Sequence, residues 1–347
     1  MESLTQHRIT KPGPLLDKNG RLAEPGYATG LLLKYDRSRI AASALRIKEW
    51  DYYYIGNDRY GLALTIADNG YMGLDSISLL DFEKRTEQTT SRMCVLPLGH
   101  RGLPATSERG DISVKGKDYA MSFLNDGSVR HLSGYMDKFR DGKTIRFDVT
   151  LTGTPKDSMV IATPFAGKPK AFYYNQKINC LRAEGKVEFD GKEYPFSPDS
   201  AFGVLDWGRG VWTYENTWYW GSASGMADGH VFGFNLGYGF GDTSAASENM
   251  LFCDGIASKL GRVRFDIPMA GGKEEYLKPW SIKDDEGRLA LEFVPILDRS
   301  ACMDFKLLLS DQHQVFGRFS GTAVLDDGQS VTVRDLTGFA EKVHNKW

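Results

Sequence analysis

The sequence predicts an all-β, antiparallel fold built as two barrel-like units. Three observations carry that expectation. Apolar and polar residues alternate with period two along most of the chain, and long helical periodicity is nearly absent. The chain holds 38 Gly and 13 Pro, with aromatic residues at 12%. Short strand-like runs recur between turn signals, on the order of twenty of them, which is too many for one small barrel.

Taken in order, LRIKEWDYYYI (45–55) places Leu45, Ile47, Glu49, Asp51, Tyr53 and Ile55 on one face and Lys48, Trp50, Tyr52 and Tyr54 on the other. YGLALTIADNG (60–70) continues with Tyr60, Leu62, Leu64 and Ile66. TIRFDVTLTG (144–153) and SMVIATPF (158–165) read as further strands. VEFDGKEYPF and AVLDDGQSVTV are hairpins turning at Asp190-Gly191 and Asp327-Gly328, because Asp-Gly accommodates the positive φ of tight turns. AFGVLDW reads as a strand, GRGVW as a turn and TWYWGSAS as the next strand, with Trp218, Trp220, Ser222 and Ser224 on one face. PMAGGKEEYLK (268–278) reads as a loop. The expected units are residues 1–245 and 246–347.

The 347 residues suit one large or two ordinary domains. A net charge of −2 lacks the basic footprint of a nucleic-acid binder. The N-terminal stretch has no apolar leader, and no run approaches the roughly 18 apolar residues of a membrane helix. Cytoplasmic residence is expected. Cys94, Cys180, Cys253 and Cys302 are scattered, and HxH and HExxH are missing, so no metal site is expected. Oligomeric state is not readable.

The densest chemical signal is DWGRGVWTYENTWYW (206–220), which gathers Trp207, Trp212, Trp218 and Trp220 around Asp206, Arg209 and Glu215. A charge among indoles must be paired or neutralised. One reading makes Arg209 a clasp between Asp206 and Glu215. The other makes Asp206 a general acid with Glu215 beside it. Glu49 and Asp51 are candidates to line the same cavity, unless Trp50 and Tyr52 are the residues turned that way. In HVFGFNLGYGFGD (230–242), Phe232, Phe234, Leu236, Tyr238 and Phe240 form one face, while Asn235 stands alone among glycines on the other. Bare backbone there admits a ligand or a neighbouring strand. Glu248, in GDTSAASENMLF, belongs to a polar lid or a turn, and His313 is a further acid–base candidate.

Across LLDKNGRLAEPG, LRIKEWDYYYI, LALTIADNGY, YYNQKINC, FGVLDWGRGVW, TWYWGSASG, FGFNLGYGFGDTSAASENMLF, SDQHQVFGRFSG and GFAEKVHNKW, the chain resembles domain-of-unknown-function family 2804 over nearly its full length. Its central block is also similar to AttH-like and carotenoid 1,2-hydratase proteins, through Tyr173-Tyr174-Asn175, Gly185, Asp190-Gly191, Asp206-Trp207-Gly208 and Trp218-Tyr219-Trp220. One departure is that Asp206 and Trp207 are adjacent, where the hydratase-like pattern separates its Asp and Trp. The resemblance implies two tandem lipocalin-like (calycin) barrels. It also implies a cofactor-independent hydratase, cyclase or isomerase acting on an isoprenoid- or lipid-like molecule. A lipid carrier, or a carbohydrate-active protein using Trp platforms and paired carboxylates, would draw on the same residues.

Overall fold

The computed structural model describes residues 5–304 and 309–346, apart from the side chain of Met303. Among these residues there is no α-helix, only two single-turn 3₁₀ segments at Arg37–Arg39 and Ala44–Arg46. Two large antiparallel sheets dominate.

The first comprises β1 (Ile47–Gly56), β2 (Tyr60–Asp68), β3 (Met72–Asp81), β4 (Thr86–Val95), β5 (Ile112–Lys115), β6 (Tyr119–Asn125), β7 (Arg130–Arg140), β8 (Lys143–Thr152), β9 (Met159–Pro164), β10 (Phe172–Phe189), β11 (Lys192–Phe196) and β12 (Phe202–Val211). Gly26–Ala28 adds a thirteenth strand beside β9. The main path runs β4-β3-β2-β1-β12-β10-β8-β7-β6-β5.

The second comprises β13 (Glu215–Ala227), β14 (His230–Tyr238), β15 (Met250–Cys253), β16 (Ile256–Lys259), β17 (Val263–Asp266), β18 (Trp280–Asp284), β19 (Leu289–Asp304), β20 (Leu309–Val324) and β21 (Ser330–Lys346). Its order is β16-β15-β14-β13-β21-β20-β19-β18-β17. The chain changes sheets between Val211 and Glu215, ahead of residue 245. The strand carrying Trp218 and Trp220 pairs with C-terminal β21, Trp220 opposite Glu341.

Each sheet curls around its own apolar core. The first encloses Ile47, Tyr53, Leu62, Leu205, Trp207 and Val211. The second encloses Phe232, Phe234, Leu236, Phe293 and Phe319. Period-two alternation then decides what meets between the sheets. In β1, Glu49, Asp51 and Tyr53 point into the first barrel, so Tyr52 and Tyr54 point out of it. Those outward rings join Val204, Trp220, Phe316 and Phe339 in a seam where the two sheets pack face to face.

Two local outcomes differ from expectation. The Asp190-Gly191 hairpin closes through those two residues at positive φ, but the other closes through the longer loop Leu325–Gln329. Gly208-Arg209-Gly210 is not a turn: β12 runs unbroken to Val211, paired with β1 and β10. The glycines are there for space, since a Cβ on Gly208 would lie 1.9 Å from the Trp50 ring.

At residues 178–181 the register of β10 slips against β12, and Cys180 takes φ +63°. The slip pushes Asn179 across the seam. Its amide donates to Ser222 Oγ (2.9 Å) and to the Phe234 carbonyl (3.0 Å) of the second sheet.

Candidate functional site in the seam between the sheets

Alternate residues of β10, namely Tyr173, Asn175, Lys177 and Asn179, leave the first barrel for the seam, while Phe172, Tyr174 and Ile178 stay in its core. Asp206 of β12 points the same way. Its Oδ1 accepts from Asn175 Nδ2 (2.6 Å) and pairs with Lys177 Nζ (2.8 Å). The Lys177 ammonium lies 3.9 Å from the Trp220 ring centroid, so indole attraction supplements the ion pair.

The second sheet supplies the facing wall. Glu341 of β21 accepts from Trp218 Nε1 on one oxygen (2.9 Å) and from Gln314 Nε2 on the other (2.9 Å). Gln314 in turn accepts from Tyr52 of the first sheet (3.2 Å). Burial pushes the Glu341 carboxyl up to about 7, against the two N–H donors and Lys177. Trp220 Nε1 donates to Asn235 (2.7 Å), and Asn235 donates to the Glu248 carbonyl (2.8 Å). Burial raises the Glu248 carboxyl as well, opposed chiefly by Lys177. The glycine face of β14 receives side chains from outside: a Cβ on Gly237 would meet the Glu248 carboxyl at 2.6 Å, and one on Gly233 the Cys180 sulfur at 2.7 Å.

An aromatic collar adjoins these charges. Trp50 stacks on Tyr173 (6.1 Å, 12°) and meets Trp212 edge-on (5.2 Å). Trp212, Trp218 and Tyr173 each pack edge-on against Phe240, at 4.9, 5.3 and 4.8 Å. Trp50, Trp212 and Trp218 stay partly exposed, so the collar reaches the surface. The arrangement sets one ammonium and three carboxyls, two of them displaced toward their acid forms, beside a wall of indole and phenol.

Of the residues singled out from sequence, the seam brings together Asp206, Trp212, Trp218, Trp220, Asn235 and Glu248. Four others lie inside the first barrel. Arg209 is fully buried and donates to Asp51 (3.0 Å) and to the Pro104 carbonyl (2.7 Å), with its guanidinium 4.3 Å from the Trp207 ring centroid. Glu49 pairs with Arg37 (2.5 Å) and accepts from Tyr35 (2.7 Å). The clasp between Asp206, Arg209 and Glu215 therefore does not form, because Arg209 points to the opposite face of β12 from Asp206. Glu49 and Asp51 are likewise separated from Asp206 by the thickness of the sheet.

Tyr238 stacks on Tyr219 (4.5 Å, 9°) and accepts from the Phe265 amide, away from the seam. Glu215 is exposed beside Lys346 (3.2 Å) and His344 (3.4 Å). His313 stacks on Tyr276 (3.8 Å) and pairs with Asp298 (2.6 Å). Burial is the largest influence on His313 and opposes its protonation, but the Asp298 hydrogen bond together with the charges of Asp298, Asp311 and Glu274 raises its pKa.

Sequence reasoning missed Lys177, Glu341, Asn175 and Gln314. The signal for Lys177 was present: it is the one charge in the strand YYNQKIN, on the face shared with Tyr173 and Asn175. Glu341 gave none, because its partners lie 27 and 123 residues away. One group of metal-competent donors exists among the described residues. His230, Cys253 and Asp254 place ligand atoms within 4.8 Å of one another at the β14 end. There Asp254 already accepts from His230 (2.7 Å) and the Val231 amide (2.9 Å), which is the work of a turn clasp.

The profile of the family described as "Domain of unknown function (DUF2804)" matches residues 6–347. No functionally curated protein matches the chain significantly. Among solved structures, one assigned to AttH from Nitrosomonas europaea superposes with a TM-score of 0.53 at 14% identity, covering 95% of this chain and 98% of that one. Kievitone hydratase from Nectria haematococca superposes with a TM-score of 0.50 at 13% identity, covering 97% of each. These likenesses place the chain in the same tandem lipocalin-like fold.

Proposed function

The chain belongs to the DUF2804 family, and we propose that it is a cofactor-independent enzyme of hydratase, cyclase or isomerase type. Its substrate is an apolar, unsaturated, isoprenoid- or lipid-like molecule held in the seam. The observation that carries this reading is Glu341, a buried carboxyl poised near neutrality beside an indole collar. A hydratase of the same fold supports it by analogy alone.

In the hydration version, protonated Glu341 donates its proton to one carbon of a double bond. The cation left on the other carbon lies against the faces of Trp218 and Trp220. Water adds to that carbon and returns one proton to the Glu341 carboxylate, so one water is consumed for each double bond. The Lys177–Asp206 pair orients the incoming water, which gives Asp206 a positioning role in place of the acid role.

The test uses geraniol and a prenylated phenol as probes, with binding read from quenching of indole fluorescence. Turnover is read by mass spectrometry in heavy-oxygen water. The expected result is oxygen incorporation by the native chain and its loss in Glu341→Gln, with quenching retained. Quenching without incorporation, cyclisation or double-bond migration for any bound probe favours the carrier. Absence of quenching by every probe rejects the apolar site itself.

A further inference from the structure

The opposite end of the seam holds a second cleft. It lies between the end of β1, the start of β12 and the middle strands of the second sheet, with a volume of about 210 Å³. Tyr54 packs against Phe316 (5.1 Å) and Phe339 (5.7 Å), rings of the packed centre of the seam, and it also lines the cleft. The space is that of about seven waters at ~30 Å³ each, or one small organic molecule.

Two independent features define what would fit. The rim carries the carboxylates of Asp58, Asp199 and Asp335 against the single guanidinium of Arg334, and all four residues are exposed. Of these carboxylates, Asp58 accepts one hydrogen bond, from Thr337 Oγ1 (2.7 Å). The second feature is the Tyr54 hydroxyl, which is buried and has no hydrogen-bond partner. Tyr54 as a whole is 7% exposed. Its hydroxyl lies against Gly56, itself a wall of the cleft, where a Cβ would approach within 2.2 Å. A buried hydroxyl without a partner costs free energy until a ligand or water completes it.

We propose that this cleft binds a small organic ammonium ion that also carries an oxygen able to accept a hydrogen bond. The three carboxylates hold the cationic end, and the Tyr54 hydroxyl donates to the oxygen. Burial raises the Tyr54 pKa, which keeps the donor protonated.

The test is calorimetric titration of the full chain with choline and with its uncharged carbon isostere, dimethylbutanol. Choline binds about tenfold more tightly than the isostere if charge decides the fit. Asp199→Asn and Asp335→Asn, both at exposed positions, each weaken choline about threefold. Tyr54→Phe weakens it about fivefold, while the melting temperature of the free chain holds or rises because a buried hydroxyl without a partner is removed. Ser200→Trp, on the exposed rim, fills the cleft and abolishes binding. Co-flotation with phosphatidylcholine vesicles identifies a lipid headgroup as the source of the ammonium, whereas choline binding without it identifies a free ion. Equal affinity for choline and the isostere, or no heat with choline at any concentration, overturns the proposal, as does indifference to both Asp substitutions.

Discussion

Replacing Glu341 with Gln should change how stability depends on pH, in a direction fixed by the seam. The carboxyl is displaced from 4.5 to about 7 by burial. Between those values the folded chain holds a proton that the unfolded chain has released. Stability therefore falls as pH rises from about 4.5 to 7 and is level beyond that window. At ~1.36 kcal/mol per pH unit the displacement corresponds to about 3 kcal/mol, undiminished by solvent because Glu341 is buried. Gln keeps the shape and one acceptor, but its amide must face either the Trp218 or the Gln314 donor, which costs about 1 kcal/mol at every pH. Urea denaturation at pH 5 and pH 8 checks this. The native chain should lose about 2.5 kcal/mol more than Glu341→Gln between the two, because pH 5 already lies inside the window. Parallel losses in both proteins would show that the carboxyl is ionised across the whole range, and the acid role would go with that result.

Other substitutions probe the surroundings. Arg209→Met removes the guanidinium that pairs with buried Asp51 and should cost about 3–5 kcal/mol by denaturant unfolding, less at low pH where Asp51, already raised by burial, takes up a proton. Gly208→Ala forces the Trp50 ring to move and should cost about 1–3 kcal/mol with an altered indole emission spectrum. Trp218→Phe removes a donor that favours ionised Glu341, so the carboxyl midpoint measured by carbon-detected NMR should rise by about one unit.

Much of the fold was legible because alternation is local. The faces of β1 follow from counting residues, and Asp190-Gly191 places its hairpin without any tertiary information. The same counting bore on the site. Asp206 and Arg209 are three apart, so in one continuous strand they must face opposite ways. Reading Gly208 and Gly210 as turn residues hid this, because the space at Gly208 is used by Trp50 from a strand more than 150 residues away, and that at Gly210 by the Phe172 carbonyl of β10. Glu341 was illegible for a related reason: only the pairing of β13 with β21 brings it to Trp218.

The crossing of Asn179 into the opposite sheet bears on how the molecule comes apart. That amide belongs to the first sheet by chain connectivity and to the second by its bonds. Opening the seam would break its bonds to Ser222 and the Phe234 carbonyl and expose the rings of Tyr52, Tyr54, Phe316 and Phe339 to water. Heat should therefore melt both halves in a single calorimetric event, and neither half is expected to persist folded once the other has gone.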